Sequence, residues 1–156
     1  MFFLLKINLQ IMSADQIFQY TNTFALVGWI ILIFMPFWKQ SDKVIIGIFI
    51  TLLAIVYAWL ILSSFKLADF QSFSTLDGVM KLFDDKNMVV GGWVHYLAFD
   101  LMTGLLIRKN AALHGINHWL TVPCLFFTFM LGPVGLLLYF LLRWIITRQY
   151  FAENYA

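Results

Sequence analysis

From Val44 to Phe65 the chain carries no charged residue. A helix needs about 20 apolar residues to cross the hydrocarbon layer of a bilayer, and this run is long enough to do so. Lipid offers no partner for backbone amides, so a run that crosses must be helical. Three more apolar runs are separated by short charged clusters, which places the four expected spans at about residues 17–38, 44–65, 87–107 and 120–142. The linker Lys39-Gln40-Ser41-Asp42-Lys43 is too short for anything but an antiparallel return, Arg108-Lys109 stop the third run, and Arg143 ends the fourth. The expected fold class is an all-α membrane protein, a four-transmembrane-helix antiparallel bundle that makes residues 1–156 one integral membrane domain.

Composition agrees with that reading and excludes others. Hydrophobic residues make up 62% and charged residues 12% of the chain, against about a quarter charged in soluble domains. A net charge of +2 supplies no basic stripe, so nucleic acid is not an expected partner. Cys124 is the only cysteine, which rules out an internal disulfide. Trp38, Trp119 and Trp144 fall near expected span ends, where amphipathic rings favour the interface. The apolar lead-in Met1 to Met12 has no small-residue cleavage motif and lacks the Arg- and Ser-rich character of a transit peptide, which points to a prokaryotic plasma membrane. The cation density of the two short loops puts them in the cytoplasm and both termini together on the opposite side.

Between the second and third runs, Lys66 to Lys86 cannot span. Phe70, Phe73, Leu76, Val79, Met80 and Phe83 recur there at helical spacing among polar residues, the pattern of a short amphipathic connector lying on the membrane. In the second run Gly47, Thr51, Ala54 and Ala58 line up at intervals of four, three and four, a stripe along which another helix is expected to pack closely. In the fourth run Pro133 predicts a kink, with Gly135 close to a neighbour.

The polar residues inside the third run carry the functional expectation. Asp100 lies near mid-span, and a carboxyl there costs at least a few kcal/mol unless it faces a partner, a wet pocket or a task. His95 is five residues earlier, about 140° away around the helix, so one helix cannot aim both at one point. Asp100 shares its face with Tyr96 and Thr103, and its partners are expected among Asn22, His114, Asn117, His118 and Thr121. His114 and His118 have the i, i+4 spacing that presents two imidazoles to one side of a helix, yet a hydrogen-bond network without metal is the preferred reading. No Ser-His-Asp order, Gly-rich phosphate loop or paired-Cys motif occurs, and the cofactor stays unspecified.

The residues Asn22-Thr23-Phe24-Ala25-Leu26-Val27-Gly28-Trp29, Pro36-Phe37-Trp38-Lys39, Trp93 to Leu101, His114-Gly115-Ile116-Asn117-His118, Pro123-Cys124 and Gly132-Pro133-Val134-Gly135 together resemble the abscisic-acid-deficient-four-like family. This is a family of small four-helix membrane proteins whose plant members are required for making neoxanthin from violaxanthin. The resemblance covers roughly Asn22 to Arg143 and implies a membrane protein acting in carotenoid or isoprenoid lipid metabolism. If that chemistry is kept, an epoxide is isomerised to an allenic alcohol by an acid at its oxygen and a base at a vinylic carbon. Asp100 is the expected acid and His95 or His118 the expected base. The alternative is a non-catalytic protein that binds a membrane lipid or scaffolds a protein partner, with the same polar cluster serving structure.

Overall fold

A computed structural model describes residues 12–64 and 67–149, the stretch 67–70 by its backbone alone; the lead-in 1–11, the expected span end Phe65 and the side chain of Phe70 lie outside what it describes. Among the described residues every regular element is helical: α1 (Ala14–Phe34), α2 (Ser41–Ser64), a 3-10 stretch (Leu67–Ser74), α3 (Leu76–Leu82), α4 (Lys86–Leu113), α5 (His118–Leu131) and α6 (Pro133–Thr147). Three of them, α1, α2 and α4, are long and apolar enough to cross a membrane.

Local chemistry sets the helix ends. Ser13 and Gln16 form a reciprocal capping box that starts α1, which closes at Met35 just before Pro36. The Asp85 carboxylate accepts from the amides of Asn87 and Met88 and starts α4. Such caps satisfy amides that have no partner inside the helix and are worth about 1 kcal/mol each. In the connector Thr75 caps α3, while Phe73, Leu76 and Met80 remain more than half exposed, an apolar face suited to lying on lipid.

α4 is the central helix, packed against α1, α2, α5 and α6. Its approach to α1 is set by glycine. A Cβ added at Gly104 would stand 2.6 Å from the Trp29 ring, and one at Gly28 would stand 2.9 Å from Leu101. In lipid the hydrophobic effect does little to drive helices together, so close packing of this kind carries the association.

The small-residue stripe of α2 faces the other way. Gly47, Thr51, Ala54 and Ala58 are exposed, a Cβ at Gly47 would meet nothing within 4 Å, and α2 buries Ile45, Phe49, Leu53 and Leu60 instead. A π-helical turn over Ile45–Ile50, with the Thr51 hydroxyl donating to the Ile46 carbonyl, displaces the register by one residue. The expectation of a packing seam along that stripe is corrected accordingly.

The fourth apolar run also departs from expectation, forming two helices instead of one. At Gly132 the chain takes φ +51, a region that favours glycine, and Pro133 then opens α6. The second helix folds back on the first. A Cβ at Gly135 would lie 2.1 Å from the Thr128 amide nitrogen and 2.4 Å from the Cys124 carbonyl oxygen. In a straight helix residues seven apart are separated by about 10 Å along the axis, so only a hairpin allows this contact.

The two ends of α4 locate everything else. Lys86 pairs with Asp15, which places the start of α1 at the beginning of α4. At the other end Arg143 bonds to Asn110 and His114, so α6 finishes where α4 finishes. The two termini themselves, expected on one side, lie outside the described residues, but α1 begins and α6 ends at opposite ends of α4. The cause is the hairpin, which returns the chain to the end from which α5 set out.

Candidate functional site

α1 and α4 lie side by side, and the tip of the α5–α6 hairpin meets them at mid-height. Where the three converge there is a cleft of about 370 Å³. Asn22, Thr23 and Leu26 form its α1 wall, Trp93, Tyr96 and Leu97 its α4 wall, and Phe129 and Met130 close it from α5. Leu26, Trp93 and Met130 are each more than two-fifths exposed at its rim, so the cleft opens sideways from the helices. Its walls are apolar and aromatic with a few fixed polar groups, the usual make-up of a small-molecule pocket.

The polar groups are held from both sides. Trp93 donates its indole N–H to the Asn22 amide oxygen at 2.7 Å, tying α4 to α1. The Trp93 ring also packs tilted against Phe18 at 5.5 Å and Tyr96 at 5.4 Å. Tyr96 therefore presents its ring to the cleft, and Asp100 follows one helical turn further along the same face of α4.

Asp100 is 91% buried by its 9% residual exposure, at the apex of the hairpin. A Cβ on Gly132 would stand 2.9 Å from Asp100 Oδ1, so glycine at the bend is what gives the carboxyl its place. Asp100 Oδ2 has no hydrogen-bond partner among the described residues. The expected inward orientation is what the structure has, with Gly132 of the fourth run against the carboxyl. A buried oxygen without a partner costs free energy, and at this position it makes the Tyr96–Asp100 couple a chemical candidate rather than a packing detail.

The histidines are elsewhere. His95 is on the exposed face of α4, stacked on Phe99 at 4.4 Å and tilted against Tyr57 of α2 at 5.2 Å. His118 opens α5, and its Nε2 donates to the Ile33 carbonyl at 2.8 Å, satisfying the last turn of α1. The 14 residues from His118 to the bend correspond to about 21 Å of helix, so neither imidazole meets Asp100. Nor do His114 and His118 share a helical face. Gly115, at φ +65, separates the end of α4 from the start of α5. His114 and Asn110 instead belong to a second polar cluster, with Thr121 donating to the His118 carbonyl and Asn117 capping α5 nearby.

That second cluster locks the hairpin. Asn110 Oδ1 accepts from the Tyr139 hydroxyl at 2.6 Å and from Arg143 at 3.1 Å. His114 Nε2 accepts from the Arg143 guanidinium at 2.9 Å, which requires the proton on Nδ1, where it is donated to the Asn110 carbonyl at 2.8 Å. Arg143 is fully buried, and a buried guanidinium is tolerable only with such acceptors. Asn110, Tyr139 and Arg143 are not among the residues expected from the sequence to act as a group. Their signal was two complementary i, i+4 pairs, Asn110 with His114 and Tyr139 with Arg143. Among the described residues no group of three or more His, Cys, Asp or Glu side chains is placed to hold a metal.

Helices of transmembrane length, a broken apolar hairpin and a side-opening cleft define a helical membrane protein. The model of the ABA DEFICIENT 4-like (ABA4-like) family matches residues 16–139, most of the chain, and the chain belongs to that family. No curated protein and no solved structure matches it.

Proposed function

We propose that the protein acts on a carotenoid or related isoprenoid that enters the α1/α4/α5 cleft from the membrane, with Tyr96 and Asp100 as the proton-transferring couple. The carrying observation is that the cleft opens sideways at the height of the bend, with Tyr96 in its wall and the buried Asp100 one helical turn further along the same helix. The family's link to carotenoid metabolism supports the ligand class. An isomerisation moves one proton from carbon to oxygen with no net change. Tyr96 can give a proton to a polarised oxygen, and the Tyr96–Asp100 couple can take one back.

In this reading α1, α2 and α4 cross the membrane, while α5 and α6 enter and leave from one face. α5 has 14 residues, about 21 Å of helix and too short for a bilayer of about 30 Å. The hairpin then adds Arg143 and Arg148 to the face that already carries Lys39, Lys43, Arg108 and Lys109, which favours that face as cytoplasmic.

A second reading is binding without catalysis. It is favoured by the positions of His95 and His118, which leave no imidazole beside Asp100. The two readings part on one experiment: wild type, Tyr96→Phe and Asp100→Asn are expressed in a pigment-producing bacterial host, and extracted and copurified isoprenoids are analysed by mass spectrometry. Catalysis predicts a product isomer made by wild type and lost at least tenfold in both variants at equal folded yield. A pigment that copurifies unchanged supports binding, and neither product nor copurified isoprenoid sinks the ligand assignment.

A further inference from the structure

A second pocket, of about 360 Å³, lies at the other level of the molecule, between the α1–α2 turn and the end of α4. Arg108, Lys109 and Lys39 line it, with Asp42 as the single acid. Asp42 is shared: its carboxylate pairs with Arg108 and, at 3.7 Å, with Lys109. One carboxylate cannot neutralise three cations, so the pocket keeps an excess of positive charge.

Arg108 is built in. It is 8% exposed, one guanidinium nitrogen serves Asp42 and, at 3.1 Å, the Ser41 hydroxyl, and Nη1 is buried with no hydrogen-bond partner among the described residues. A guanidinium is a fork suited to two acceptor oxygens, and here part of the fork is unused. The rest of the wall is apolar, from Pro36, Phe37 and Trp38 on one side and Ala111, Ala112 and Ile116 on the other. Trp38 is 43% exposed and Phe37 86%, and exposed aromatic rings beside lysines are how membrane proteins mark the headgroup level.

We propose that this pocket binds the phosphate of an anionic phospholipid, with Lys39, Arg108 and Lys109 around the headgroup and the Pro36–Trp38 side against its glycerol and acyl carbons. A free phosphate would gain nothing from the apolar wall, which is why the lipid is preferred. The site is independent of the cleft at mid-height. Bound there, the lipid joins the α1–α2 turn to the end of α4, beside the start of α5, where His118 also borders the pocket.

The full chain, purified in mild detergent, would be titrated with phosphatidylglycerol or phosphatidylcholine and read by native mass spectrometry and thermal midpoint, with inorganic phosphate in a parallel arm. Wild type should retain phosphatidylglycerol in clear preference to phosphatidylcholine. Each of Lys39→Gln and Lys109→Gln, both exposed, the second tied only by its 3.7 Å pair with Asp42, should cut that preference about fivefold, from roughly 1 kcal/mol per surface cation, while Lys81→Gln on the far connector should not. Arg108→Gln should abolish it, but the lysine variants carry the test if that protein does not fold. Equal retention of the two lipids by wild type overturns the proposal. So does a preference that survives both lysine substitutions in folded protein. Stabilisation by inorganic phosphate with no choice between lipids overturns the lipid assignment.

Discussion

α2 and the α5–α6 hairpin come from apolar runs of similar length, and they fold in opposite ways. α2 runs unbroken from Ser41 to Ser64, absorbing an extra residue in a π turn and leaving its small residues outward. The other run breaks at Gly132, reverses, and buries Gly135 against the backbone of Cys124 and Thr128. Apolar length decides that a segment belongs in the membrane. Whether the segment runs straight or turns back on itself depends on where a positive-φ residue sits and whether polar anchors wait at the near end. The hairpin has both, in Gly132 and in the Asn110–His114 grip on Arg143.

The most severe way to break this comparison is Gly135→Leu. The added side chain meets backbone atoms that cannot yield, so a loss above about 4 kcal/mol is expected, in the range reserved for severe clashes, read as collapse of monodisperse yield. Survival with an unchanged thermal midpoint would mean that α5 and α6 do not pack as a hairpin. Gly104→Ala is milder. Its Cβ presses on the flat Trp29 ring, and an overpacking cost of about 1–3 kcal/mol should lower the midpoint. Smallest of all is Gly47→Leu on the outward stripe, expected within about 0.5 kcal/mol of wild type, as for exposed positions generally. A large loss there would show that the stripe has a partner and that α2 is not the free counterpart of the hairpin.

Much of this fold was legible in the chain. Charge gaps located α1, α2 and α4, and the placement of Asp100 toward other helices followed from the cost of a carboxyl in lipid. Pro133 announced a disturbance, but a kink and a reversal share one local signature. What separates them is the φ of Gly132 and the contact of Gly135 seven residues back, and both are set by tertiary packing. The stripe on α2 misled for a related reason: Ile45, Phe49, Leu53 and Leu60 also recur at helical spacing, and spacing alone does not say which of two faces meets the neighbours. At the site, Asp100, Tyr96 and Asn22 were legible as polar groups in an apolar setting. That His95 faces outward depends on which side of α4 meets its neighbours, which periodicity alone does not say.

Sidedness measures the hairpin's return directly. In a Cys124→Ala background, single cysteines at Gln40, Ser74 and Gln149, all exposed, would be labelled with a membrane-impermeant maleimide in oriented vesicles. Gln40→Cys and Gln149→Cys should react from the same side and Ser74→Cys from the other. Labelling of Gln149→Cys together with Ser74→Cys would mean that the fourth run crosses the membrane, and would contradict the re-entrant hairpin.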